Sequence, residues 1–170
     1  MSLEATVRHL SRIPLFAQIE PEALRLLAFS AETLVLASED VLFSQGDASD
    51  GGYVVLAGRL AVEMPGMAPR SIGPDTLLGE TALMVATLRP VTARALERAQ
   101  VLKIPRALFT RVLAAFPDGA VRVRSFLAAR LEGFAGELDG MRRGVLLEHE
   151  PSGSLFASGE AEGSRSGKPP

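Results

Sequence analysis

Residues 78–93 combine three features that suit the recognition of an anion attached to a sugar. Gly79 opens a short predicted helical turn, whose free backbone N–H groups are donors for an anion. Glu80 can only accept hydrogen bonds, which suits a sugar hydroxyl, and Arg89, nine residues later, offers a planar five-donor fork that matches phosphate. A ligand that carries both ribose and phosphate would use all three. Spacing alone also allows a second interpretation, in which Glu80 and Arg89 form an ion pair across a turn and bind nothing.

The composition of the 170-residue chain excludes several other kinds of site. It contains no cysteine, which excludes disulfides and thiolate sites, and only two histidines, His9 and His149, near opposite ends. A metal cage of several imidazoles, or a catalytic triad with a core histidine, is therefore not expected. Since no residue pair makes a convincing acid–base or nucleophile–base couple, we predict that the protein is not an enzyme.

Charge and hydropathy together favour a cytoplasmic protein. Eighteen Lys and Arg stand against 20 Asp and Glu, and the formal net charge of -2 gives no general attraction to nucleic acid. No stretch approaches about 18 apolar residues without a charge, so no membrane span is predicted. The N-terminus lacks a basic region followed by an apolar one, so no signal peptide is predicted either.

Short strands must position residues 78–93. From residue 31 to residue 105, short apolar runs alternate with Gly, Pro and Asp, which is typical of an antiparallel sandwich, barrel or roll. Ala57-Gly58 predicts a tight hairpin between two of these runs. The predicted strands are Thr33–Ala37, Val41–Ser44, Tyr53–Leu56, Arg59–Met64, Ser71–Ile72, Val91–Leu96 and Val101–Ile104.

Helices are predicted on both sides of the strands. Residues 1–30 predict two short helices separated by a break at Pro14, and residues 106–145 predict two more. The last helix has apolar residues in steps of four and three, which leaves open whether it packs on its own domain or forms a homodimer; these are Leu127, Leu131, Phe134, Leu138 and Met141. Residues 146–170 are rich in Gly, Ser and Pro and predict a disordered tail.

Six residues of the segment 78–93 fall into one recognisable pattern: Gly-Glu, a variable residue, Ala-Leu, an arginine nine after the glutamate, and a threonine. They are Gly79, Glu80, Ala82, Leu83, Arg89 and Thr92. This pattern resembles the phosphate-binding cassette of the cyclic-nucleotide-binding domain family. The resemblance covers roughly residues 10–141, with further matching motifs at 13–16, 41–47 and 50–60. It implies a mainly β fold, a jelly-roll-like β-roll flanked by N-terminal and C-terminal helices.

The same resemblance implies a regulatory sensor that binds a cyclic nucleotide reversibly, needs no other cofactor and signals through its C-terminal helices. Glu80 would accept from the ribose 2′-hydroxyl, Arg89 would clamp the cyclic phosphate, and amides around Ala82 and Val91 would complete the cradle. The sequence names no downstream protein partner. The complete set of predicted ligand-binding residues is Gly79, Glu80, Thr81, Ala82, Arg89, Pro90, Val91 and Thr92.

Pro90 departs from the family pattern, which usually has Ala, Ser or Thr after the arginine. Proline has neither an N–H nor a hydroxyl, so the cradle loses a donor while Val91 keeps its own. Because a threonine at this place often favours the guanine nucleotide in the family, its absence favours cAMP over cGMP. Pro90 also supports the alternative hypothesis of a degenerate β-roll that has lost nucleotide binding and acts as a partner-binding or dimerising scaffold.

A second departure concerns DNA. Activator-type members of the family carry a winged helix-turn-helix after the long helix, and the segment that follows it here is short and rich in Gly, Ser and Pro. Together with the acidic balance, this predicts that the chain does not bind DNA.

Overall fold

The computed structural model describes the backbone of residues 1–147 and the side chains of residues 1–133. Residues 1–130 form one compact unit, and a second unit begins at Leu131, inside the last helix. The helices are α1 (Leu3–Ser11), α2 (Pro21–Ser30), α3 (Glu80–Met84), α4 (Arg106–Ala115) and α5 (Pro117–Leu147). The strands are β1 (Glu32–Leu36), β2 (Val41–Phe43), β3 (Gly51–Ala57), β4 (Leu60–Glu63), β5 (Arg70–Ile72), β6 (Leu77–Leu78), β7 (Thr92–Ala95) and β8 (Ala99–Pro105).

The strands form two four-stranded antiparallel sheets, in the orders β1-β8-β3-β6 and β2-β7-β4-β5. The sheets pack on each other through a shared apolar cluster, to which one sheet contributes Tyr53, Val55 and Val101 and the other contributes Phe43, Leu60 and Ala93. The predicted fold class, a mainly β jelly-roll-like roll with helices before and after it, is confirmed.

Strand β3 connects the two apolar cores of the domain. Successive side chains on a strand point to opposite faces. Tyr53 and Val55 face the cluster between the sheets, whereas Val54 and Leu56 join a second cluster that the helices build on the outer face of the same sheet. Because both faces are buried, the strand is apolar at successive positions instead of alternating.

Two details of the predicted strands are wrong. The hairpin at Ala57-Gly58 does not exist, because β3 and β4 belong to different sheets and the turn carries the chain from one sheet to the other. Strand β6 was not predicted, since two residues between turns carry no measurable alternation. The other seven strands agree with the prediction to within a few residues.

Helix α5 begins at Pro117, and its backbone continues to Leu147, so the first two residues of the predicted tail are helical. Leu127 packs against the cluster that the helices form, in agreement with the interpretation that this helix packs on its own domain. The seam residues from 134 to 141 lie outside the described side chains, and the homodimer stays a prediction.

The remainder of the tail, residues 148–170, lies outside the described residues, and its predicted disorder is untested. Within residues 1–147, no helix combines the length and the apolar character that crossing a bilayer requires.

Candidate functional site

Helix α3 begins at a glycine whose backbone only glycine adopts readily. Gly79 has a φ of 80°, in the left-handed region, and is the N-cap of α3. A Cβ at this position would lie 2.6 Å from Nη1 of Arg89. Gly79 therefore both turns the chain into the helix and leaves room for the guanidinium beside it.

Arg89 is a buried cation with an unused donor. Its side chain is only 4% exposed, and its Cζ lies 4.5 Å from the ring centroid of Phe43 and 5.3 Å from that of Tyr53. The ring faces attract the guanidinium but accept no full hydrogen bond. Nη2 lies 3.8 Å from Oδ1 of Asp50, and Nη1 is buried without any hydrogen-bond partner. Since nearly all buried donors in folded proteins are satisfied, this orphan donor indicates a site for an acceptor.

The backbone on both sides of Arg89 is fixed to the turn that precedes β3. The Arg89 N–H donates to the Asp47 carbonyl, and the Arg89 carbonyl accepts from the Gly46 N–H, both at 2.8 Å. Two residues earlier, the Thr87 carbonyl accepts from the Ser49 N–H at 2.8 Å, and the two hydroxyls lie 3.1 Å apart. This short ladder fixes the direction in which the arginine side chain leaves the loop.

Seven of the eight predicted ligand-binding residues line one cavity of about 210 Å³ next to Arg89. The eighth, Thr92, does not line it; its hydroxyl accepts from the Gln45 N–H at 2.9 Å. Three lining residues were missed by the sequence analysis: Phe43, Leu78 and Thr87. Phe43 lines the cavity because β2 pairs with β7, which places Phe43 opposite Ala93. No local sequence pattern encodes such a long-range register.

Asp50 is the carboxylate that balances the cations of the site. Its Oδ2 accepts from Nζ of Lys103 at 2.9 Å, while its Oδ1 faces Arg89. The Lys103 ammonium holds the pKa of the Asp50 carboxyl below its ordinary value, and the charge of Arg89 acts in the same direction. Asp50 in turn raises the pKa of Lys103. Asp50 thus bonds Lys103 and only approaches Arg89, so the guanidinium beside the cavity has no carboxylate within hydrogen-bond distance.

The predicted alternative, an ion pair between Glu80 and Arg89, is wrong. Both carboxylate oxygens of Glu80 accept from Nη1 of Arg130 on α5, at 2.8 and 2.6 Å. Glu80 faces outward from the first turn of α3, whereas Arg89 lies on the aromatic rings below. The two residues that spacing suggested as partners are therefore separate walls of the same cavity.

Arg106, which the sequence analysis did not single out, ties the site to α4. Its Nε donates to the Ala82 carbonyl at 2.8 Å, and its Nη2 donates to the Ser49 carbonyl at 2.6 Å. The first residue of α4 therefore connects the cassette helix with the turn that holds Arg89. Among residues 1–133, no group of three or more His, Asp or Glu side chains is placed to hold a metal ion.

Comparisons with known proteins point in one direction. The family model described as Cyclic nucleotide-binding domain matches residues 33–116. The structure of a cyclic nucleotide-binding-like protein from Brucella abortus is 37% identical, with a TM-score of 0.60, over 64% of this chain and 97% of that one. The N-terminal domain of a transcriptional regulator from Streptomyces coelicolor is 29% identical, with a TM-score of 0.70, over 76% of this chain and 94% of that one.

A curated relative is much longer. The lysophospholipase nte1 of Neosartorya fischeri is 33% identical over 118 residues, or 66% of this chain. The chain spans only 8% of that relative's length. The similarity is therefore to a small part of a large enzyme.

Proposed function

Because the chain belongs to the cyclic nucleotide-binding domain family, we propose that it acts in the cytoplasm as a sensor that reversibly binds cAMP in preference to cGMP and performs no catalysis. The observation that carries the proposal is Arg89. A buried guanidinium that lines a cavity and has one unpartnered nitrogen is suited to receive an anion. A cyclic phosphate has acceptor oxygens for that donor and carries a single negative charge.

The other walls of the cavity suit the sugar. Glu80 offers acceptor oxygens to the ribose 2′-hydroxyl, and the backbone amides around Ala82 and Val91 are further donors for the phosphate. Gly79, Thr81, Pro90 and the ring of Phe43 would close the cavity around the ligand.

The preference for cAMP rests on Pro90. A threonine at this place in the family often favours the guanine nucleotide, and proline has no hydroxyl to offer. The base therefore gains no polar contact from residue 90, and cGMP does not gain the affinity that a threonine would give it.

Contacts from α4 and α5 support a signal that leaves through the C-terminal helices. Arg106 at the start of α4 holds the Ala82 carbonyl, and Arg130 on α5 holds Glu80. A ligand that moves α3 would therefore change contacts on both helices. A homodimer through α5 and an unidentified downstream protein would be the receivers of that change.

Pro90 also favours one alternative function. Without an N–H at residue 90, the phosphate cradle lacks a donor that the family usually supplies, which is expected of a β-roll that has become a partner-binding or dimerising scaffold. The scaffold would have no use for the orphan donor of Arg89, and this is why we prefer the sensor.

Calorimetric titration of the purified protein with cAMP and cGMP, side by side, tests the proposal. We expect binding of both cyclic nucleotides, with cAMP the tighter, and no comparable binding of linear 5′-AMP as the matched control. Heats no larger than those of dilution for both cyclic nucleotides would contradict the sensor. A dimer that forms without any nucleotide effect, seen by sedimentation, would then support the scaffold.

A further inference from the structure

Glu80, which lines one wall of the cavity, forms an ion pair with Arg130 of α5. Nη1 of Arg130 lies 2.8 Å from one carboxylate oxygen of Glu80 and 2.6 Å from the other, so a single nitrogen sits in front of both. The Cζ of Arg130 also lies 5.6 Å from the ring centroid of Phe126, which packs against the cluster of the helices. The guanidinium is thus held between an aromatic ring on its own helix and the carboxylate on α3.

We infer that Arg130 competes with the nucleotide for Glu80 and thereby lowers the affinity of the site. This inference rests on the proposed function. A ribose hydroxyl that donates to Glu80 needs one of its carboxylate oxygens as acceptor, and Nη1 of Arg130 already bonds both of them. Binding of the nucleotide therefore releases Arg130 from α3, and anything that draws Arg130 away strengthens nucleotide binding to the same extent, because such coupling is reciprocal.

The sign of the effect separates this competition from general electrostatics. Removing a cation near a site weakens the binding of an anionic ligand through its charge alone. Competition predicts the opposite for Arg130, a gain in affinity. Arg130 is 57% exposed, and solvent-exposed ion pairs are weak, so we expect a gain of about twofold to fivefold.

The experiment is a set of calorimetric titrations with cAMP. Parent protein, Arg130→Ala, Arg130→Gln and the control Arg124→Ala are compared, Arg124 being another exposed arginine of α5, for which the structure shows no ion pair within residues 1–133. We expect both Arg130 variants to bind more tightly than the parent and Arg124→Ala to bind equally or more weakly. The gain in affinity of the two Arg130 variants over the parent should disappear at about 1 M salt, where the Glu80–Arg130 pair of the parent is screened.

A second arm repeats Arg130→Ala in a Glu80→Gln background. With the charge of Glu80 gone, Arg130 has little to compete for, and its removal should no longer raise affinity. An equal gain in both backgrounds would overturn the inference, because Arg130 would then act elsewhere.

The outcomes distinguish the inference from the function beneath it. Binding by the parent with unchanged or weaker binding by both Arg130 variants overturns the competition and leaves the sensor intact. Binding by the Arg130 variants alone supports the competition in its strongest form. No binding by parent or variants, with melting curves that show folded protein, overturns the sensor, and the competition with it.

Discussion

Arg89 and Arg94 lie five residues apart on one stretch of chain, yet their surroundings differ in the ratio of cations to carboxylates. Arg94, on β7, forms ion pairs with two carboxylates, Glu39 and Glu63, and is about one-third exposed. Both carboxylates raise the pKa of Arg94, Glu63 the more strongly, and each of its terminal nitrogens is bonded to one of them. Arg89 shares a single carboxylate, Asp50, with Lys103, and one of its nitrogens has no partner.

The contrast shows how the carboxylates bonded to an arginine distinguish a structural role from the role of an anion receptor. The Arg94 cluster has more carboxylates than cations and attracts no anion. Arg89 has no carboxylate within hydrogen-bond distance, since Oδ1 of Asp50 lies 3.8 Å from its Nη2, and at its low exposure the local dielectric strengthens the attraction of its charge for an anion. Both residues are arginines, Arg89 in the loop before β7 and Arg94 on β7 itself, and their burial and neighbouring carboxylates make the difference.

Replacing each arginine in turn by alanine tests this contrast most directly. Arg89→Ala should weaken cyclic nucleotide binding by tens- to thousands-fold, because losing one partner of a desolvated charge pair costs about 2–5 kcal/mol and about 1.4 kcal/mol is tenfold. Arg94→Ala should leave affinity unchanged and lower the melting temperature by a few degrees at most, since its two ion pairs are partly exposed to solvent and therefore weak. Titration and thermal melting of both variants measure the two effects.

Arg89→Lys is the matched control for charge. Because an ammonium is a point charge and cannot reproduce the planar fork, it should restore only part of the affinity. A parent-like titration for Arg89→Ala would refute the assignment of the site to this arginine.

Gly79 and Gly66 provide a second, smaller contrast. Both have left-handed φ angles, 80° and 77°, so alanine at either position should destabilise the fold by a similar amount, about 1–2 kcal/mol. Only at Gly79 does the new Cβ meet a neighbour closer than 3 Å, Nη1 of Arg89; at Gly66 it meets nothing within 4 Å. Gly79→Ala should therefore also displace Arg89 and cost about one charge-assisted hydrogen bond, or roughly ten- to a hundredfold in affinity.

Equal affinities for Gly79→Ala and Gly66→Ala, measured at a temperature where both are folded, would contradict the role of the glycine as the space that Arg89 needs. Melting temperatures that fall together with different affinities would confirm it. The comparison separates backbone strain from loss of the site.

Local patterns brought together seven residues that line one cavity, because these residues are close neighbours in the sequence. Gly79, Glu80 and Arg89 lie within one segment and line one cavity, although their spacing alone left open an ion pair between Glu80 and Arg89. Local patterns likewise predicted α1 and α2 and most strands, whose apolar periodicity depends only on neighbours in sequence.

What the sequence could not predict depends on contacts between distant residues. The partner of Glu80 is Arg130, fifty positions away, and the partners of Arg106 are carbonyls on two other elements. The missing hairpin at Gly58 has the same origin, since a turn of two residues reveals that the chain reverses but not which sheet receives it. Phe43 joins the site only through the pairing of β2 with β7.

The smallest predicted effect is the contribution of Asp50 to the stability of the fold, which the pH dependence of the melting temperature measures. Lys103 lowers the pKa of Asp50 in the folded protein, so the folded state holds the proton less tightly than the unfolded state. The stabilisation is therefore fully present above the ordinary carboxyl pKa near 3.8 and is lost as the pH falls through the lower folded value. Because Asp50 is 62% exposed, its contribution should be no more than about 1 kcal/mol, or about 2–4 °C in melting temperature.

Asp50→Asn should accordingly melt slightly below the parent at pH 6, and the gap should narrow as the pH is lowered toward 3. Lys103→Gln, which removes the main cause of the lowered pKa, should show a similar gap at pH 6 and a similar narrowing. A gap between parent and Asp50→Asn that widens toward pH 3 would mean that the folded state binds the proton of Asp50 more tightly than the unfolded state. Lys103 and Arg89 would then not be the residues that set the ionisation of Asp50 in the folded protein.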